Sequence, residues 1–138
     1  MVQILIVTHG PLADALKESA LLVYGKTEQL RTIGLFHGDN IDDLYDKIVT
    51  NIKEINEGDG VLVFVDMFGG TPCNKVALAI KNLKEYCRIE CIVGVNLPIL
   101  IEALCLRSDK TKTLDEMVKE LLQLALKTSF SLRERLEI

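Results

Sequence analysis

Two short, almost wholly apolar runs limit what this chain can become. Val2-Gln3-Ile4-Leu5-Ile6-Val7 ends at Thr8-His9-Gly10-Pro11, and Val61-Leu62-Val63-Phe64-Val65 ends at Asp66-Met67-Phe68-Gly69-Gly70-Thr71-Pro72. Runs this short and this apolar read as strands buried on both faces, which is the environment of a parallel sheet covered by helices on each side. Each run stops at one polar residue, and the glycines and proline that follow mark a turn into a helix. If the two strands are parallel neighbours, His9 and Asp66 emerge side by side at the same sheet edge.

The rest of the chain keeps the same alternation. Strands are predicted at about 2–8, 29–36, 60–66 and 89–95, and helices at about 11–25, 41–57, 72–84, 97–107 and 113–127. The first helix begins at Pro11, is closed by Gly25, and carries Leu12, Ala15, Leu16, Ser19, Ala20 and Val23 at helical spacing as its expected inner face. Asp39-Asn40 supply the cap of the second. Strands alternating with helices of this length predict an α/β, doubly wound fold with right-handed crossovers.

Two segments depart from that pattern. Residues 129–138 alternate Phe130, Leu132, Leu136 and Ile138 with polar residues, with only Glu134 interrupting, so they read as a half-buried antiparallel edge strand. Leu97–Leu106 is apolar nearly all round, and is either deeply buried or packed on a second subunit. Together they point to a homodimer. The whole is expected to be one domain, 1–138, with a core of 1–128 and a C-terminal strand at 129–138.

Composition excludes several functions. At 49% hydrophobic residues the chain can build a core without staples. Its 16 Lys and Arg against 20 Asp and Glu argue against nucleic acid as a partner. No stretch is long enough to span a bilayer and no basic leader precedes the first strand, so a cytoplasmic protein is expected. Cys73, Cys87, Cys91 and Cys105 lack metal-ligand spacing and read as small buried side chains, with Cys73 set apart by its place at a helix start. No metal and no cofactor is expected.

In open parallel sheets ligands collect where neighbouring connections diverge at the carboxyl ends of strands. Strand order 2-1-3-4 would set that point between His9 and Asp66, although periodicity alone does not fix the order. A carboxylate on one imidazole nitrogen fixes the tautomer and leaves the other nitrogen as a nucleophile. Gly10, Gly69, Gly70 and Thr71 lie at two helix starts, where free amides suit a phosphoryl group. The second histidine, His37, follows a strand but has no evident carboxylate partner, and reads as an ordinary loop residue.

Thr8-His9-Gly10, the loop Asp66-Met67-Phe68-Gly69-Gly70-Thr71-Pro72-Cys73-Asn74, and Gly94-Val95-Asn96-Leu97-Pro98, in this order and spacing, resemble the mannose-type EIIA domain of the sugar phosphotransferase system over essentially the whole chain. The resemblance implies a parallel sheet of order 2-1-3-4 and a fifth, antiparallel strand exchanged between the subunits of a dimer. It implies a phosphotransferase component in which His9 takes a phosphoryl group from HPr and passes it to a separate EIIB component serving a membrane EIIC/EIID complex. It further implies that Asp66 orients His9 and that Thr71 helps hold the phosphoryl oxygens. A phosphorylation-dependent regulatory subunit would use the same site. A flavodoxin-like ligand-binding module would need a nucleotide motif or stacking aromatics, and a cysteine hydrolase on Cys73 would need His9 as its base. The related carrier of the dihydroxyacetone kinase system lacks the Gly-Gly-Thr-Pro-x-Asn loop.

Overall fold

The computed structural model describes residues 1–138. Four strands, β1 (Gln3–His9), β2 (Leu30–Leu35), β3 (Val61–Val65) and β4 (Ile89–Val93), form one parallel sheet of order β2-β1-β3-β4. Between and after them run α1 (Leu12–Tyr24), α2 (Ile41–Ile55), α3 (Thr71–Asn82), α4 (Leu97–Arg107) and α5 (Leu114–Ala125). These elements match the expected ones to within a few residues.

The two apolar runs become the central strands, and their strict alternation splits them between two cores. Ile4, Ile6, Leu62 and Phe64 pack under α1, α4 and α5, while Leu5, Val7, Val61, Val63 and Val65 pack under α2 and α3. Every residue of β3 is buried, as expected for a strand covered on both faces. Local chemistry starts the helices. Asn40 accepts from the Asp42 and Asp43 amides at 2.8 and 3.2 Å, and Thr113 and Glu116 form a reciprocal capping box.

The apolar helix α4 has its partner within the chain, because Ile99, Leu100, Ala103 and Leu104 are buried between the sheet, α1 and α5. The expected inner face of α1 needs correction. Its core contacts are Ala13, Leu16, Ala20 and Tyr24, while Leu12, Ala15, Ser19 and Val23 are exposed. Small Ala13 and Ala20 allow close approach to the layer beneath, which outweighs the larger side chains on the adjoining face.

The tail also differs from expectation. Residues 132–135 form one helical turn, α6 (Leu132–Arg135), capped by Ser131, and the sheet of the single chain has no fifth strand. A strand must borrow its hydrogen bonds from a neighbour, and within one chain the tail closes local ones instead, including Arg135 N–H to Ser131 O at 3.0 Å. Phe130, Leu132, Leu136 and Ile138 are left exposed.

Candidate functional site

Parallel pairing of Val7 with Val65 carries β1 and β3 to the same edge, so the residues that follow, 57 positions apart in sequence, meet. His9 Nδ1 lies 2.8 Å from Asp66 Oδ2. The same oxygen accepts the His9 amide at 2.9 Å, and Asp66 Oδ1 accepts the Met67 amide at 3.0 Å. The side chain of Asp66 is only 13% exposed, against 45% for His9. The carboxylate is thus a largely covered anchor beneath an accessible ring.

Burial pushes the Asp66 carboxyl upward, but bonds from the His9 amide and imidazole together outweigh it and hold the group below the usual carboxylate range. An ionised carboxylate can only accept. Nδ1 of a neutral His9 therefore carries the proton, and Nε2 presents its lone pair outward.

Two helices begin beside this pair. At α1, the Gly10 amide donates to Leu35 O at 2.7 Å, and the buried Thr8 hydroxyl accepts the Ala13 amide at 2.8 Å. Gly10 therefore has no amide left for a phosphate, contrary to expectation, and Pro11 serves as the N-cap residue rather than opening the helix. At α3, Gly70 is the N-cap and offers no side chain, Thr71 and Pro72 follow, and the first turn holds no acid. The amides of Gly70, Thr71 and Cys73 and the Thr71 hydroxyl have no acceptor or donor partner in the fold. Gly69 reaches its position with φ of 80°, a turn that glycine adopts without strain.

Of the residues singled out from sequence, His9, Asp66, Gly69, Gly70 and Thr71 converge. His37 lies in the exposed turn after β2, where Asp39 bonds the Phe36 amide and no carboxylate meets the ring. Cys73 is half-buried against the α2 and α3 core, and burial pushes the Cys91 thiol up to about 12. The role of Thr8 escaped the sequence reading; its signal was a hydroxyl residue just upstream of a Gly-Pro helix start. Met67 and Phe68 are 55% and 83% exposed beside the pair.

The family model described as EIIA-man, PTS system fructose IIA component, matches residues 3–122. The fructose-specific EIIA component of Bacillus subtilis (strain 168) is 40% identical over 107 residues, covering 78% of this chain and 71% of that protein. The mannose-specific EIIAB component of Escherichia coli (strain K12) is 33% identical over 127 residues, covering 92% of this chain and 37% of that longer protein. Among solved structures, phosphotransferase system component EIIA from Streptococcus agalactiae superposes with a TM-score of 0.83 at 26% identity, covering 95% of this chain and 97% of that one.

Proposed function

The chain belongs to the EIIA-man family and is a phosphoryl carrier of a sugar phosphotransferase system, and we propose that His9 is the residue that carries the phosphoryl group. In this reading phospho-HPr is the donor and an EIIB component the acceptor, with the membrane EIIC/EIID proteins served through EIIB. The observation that carries it is the 2.8 Å bond from His9 Nδ1 to a carboxylate that can only accept, which frees Nε2 as the nucleophile.

The Nε2 lone pair attacks the phosphorus of the donor phosphohistidine in line with its N–P bond. That bond breaks as the new one forms, and the donor imidazole leaves with the electron pair. Positive charge building on the His9 ring is stabilised by Asp66 through Nδ1–H. The unspent amides of Gly70, Thr71 and Cys73, with the Thr71 hydroxyl, are the groups available to the phosphoryl oxygens, and phosphoryl transfer depends chiefly on such positioning and charge stabilisation. One phosphoramidate replaces another, so transfer runs readily in both directions.

Met67 and Phe68 are exposed, as are Leu12, Phe36 and Ile41 in the segments that follow β1 and β2, and in this reading they supply an apolar surface for docking. The reading also includes a homodimer in which residues 129–138 extend as an antiparallel strand along the partner's β4 edge, supported by the four apolar side chains the tail leaves exposed. No helix is long and apolar enough to cross a membrane, and a cytoplasmic location is proposed. Incubation with phosphoenolpyruvate, enzyme I and HPr should place an acid-labile, base-stable phosphate on His9, abolished in His9→Ala and retained in His37→Ala. Labelling of His37, or none in the wild type, would overturn the assignment.

A further inference from the structure

Gly70 has an unusual reason to be glycine. Its backbone, φ −76° and ψ 167°, is one that any residue adopts. Gly69, by contrast, needs its left-handed φ of 80° and has open space where a Cβ would stand. A Cβ built on Gly70 would lie 2.7 Å from His9 Cε1 and 3.3 Å from His9 Nε2. The first distance is too short for carbon atoms, and the atoms met are the reactive edge of the imidazole. The ring has little freedom to retreat, because its other side is tied to Asp66 at 2.8 Å.

We infer that Gly70 is a positioning residue: its bare Cα is the wall on which the His9 ring rests, and it sets how closely Nε2 approaches the unspent amides at the start of α3. This rests on His9 as the phosphoryl acceptor and assigns Gly70 a task beyond offering an amide. A methyl group there must push the ring away from α3 or rotate it about its χ2 bond. Rotation breaks the Nδ1–H bond to Asp66 and releases the tautomer that the carboxylate selects. Displacement leaves the tautomer intact but removes Nε2 from the charge-stabilising donors. Both outcomes impair transfer while leaving Met67 and Phe68 exposed for docking.

The test is Gly70→Ala, alone and in a His9→Ala background. The single variant should keep its circular dichroism spectrum and its KM for phospho-HPr. Its kcat should fall roughly 10²-fold, the scale of a misplacement of about 1 Å at a reacting group, and its imidazole 15N shifts should move from the wild-type values. Its loss of Tm should vanish when His9 is already alanine, because the clash has lost one partner. A single variant with wild-type imidazole shifts and wild-type kcat would overturn the inference, as would an equal loss of Tm in both backgrounds. Imidazole shifts and the Tm pair are read on unphosphorylated protein, so they decide the role of Gly70 even if His9 proves not to carry phosphate.

Discussion

Two helices start beside the same imidazole, from similar turns, and they differ in which donors the fold has claimed and in the charge of the first turn. The start of α1 gives two of its donors to architecture and carries an acid: Gly10 bonds back to β2, Thr8 takes the Ala13 amide, and Asp14 sets a negative charge in the first turn. The start of α3 has a cap without a side chain, a proline that removes one donor, no acid, and three idle amides. A helix N-terminus favours anions by about 0.3–1 kcal/mol when exposed, provided its donors are free. Glycine and proline therefore mark where helices begin without saying which beginning is chemically available. Availability depends on what the neighbouring side chains have already claimed.

That contrast can be strained experimentally. The largest effect is expected in Asp66→Asn, where an amide can turn its NH₂ toward Nδ1 and select the unproductive tautomer; transfer from phospho-HPr should fall between about 10² and 10⁴-fold with the fold intact. Stopped-flow transfer kinetics at a wild-type rate would remove Asp66 from the mechanism. Next comes Thr71→Ala at the start of α3, which should slow transfer by about tenfold, the scale of one lost hydrogen bond to a charged group, and leave Tm almost unchanged. Thr8→Ala at the start of α1 should do the reverse, costing about 1 kcal/mol of stability in urea unfolding with transfer largely kept. If Thr8→Ala slowed transfer more than Thr71→Ala, the assignment of the two ends would be inverted.

The smallest effect is a pH dependence. The Asp66 pKa is held below its ordinary 3.8 in the fold. Its stabilising contribution is therefore complete above about pH 3.8 and is lost as pH falls through the lower folded value. The Tm difference between wild type and Asp66→Asn should be present at neutral pH and shrink in strong acid. A difference that grew on acidification would contradict a depressed Asp66.

Most of the fold was legible because burial leaves a local record. The alternation in Ile4-Leu5-Ile6-Val7 and in Leu62-Val63-Phe64-Val65 follows from a sheet with a core on each face. Asn40 and Thr113 announce their helices by chemistry confined to a few residues. The inner face of α1 was misread because apolar side chains lie on two adjoining stripes, and spacing cannot tell which one the sheet covers. The alternation of the tail records a preference for half-burial, and in the single chain it closes a helical turn because a strand exists only where another edge supplies its bonds. At the site, the sequence pointed to His9 and Asp66, which are bonded, and to Gly70, which lies against the ring. It missed that the Gly10 amide is consumed by β2, a contact between elements that no local pattern encodes.

The sequence by itself determined where the strands and the five long helices lie, which polar residue ends each central strand, and where glycine and proline turn the chain into a helix. Tertiary structure alone decided that β1 and β3 are neighbours, that one carboxylate oxygen gathers both the amide and the ring of His9, and that Gly10 and Ala13 give up their amides while Gly70, Thr71 and Cys73 keep theirs. Periodicity and capping are properties of a few consecutive residues, whereas hydrogen-bond donors are shared among segments distant in the chain, and only the assembled fold settles which of them remain free.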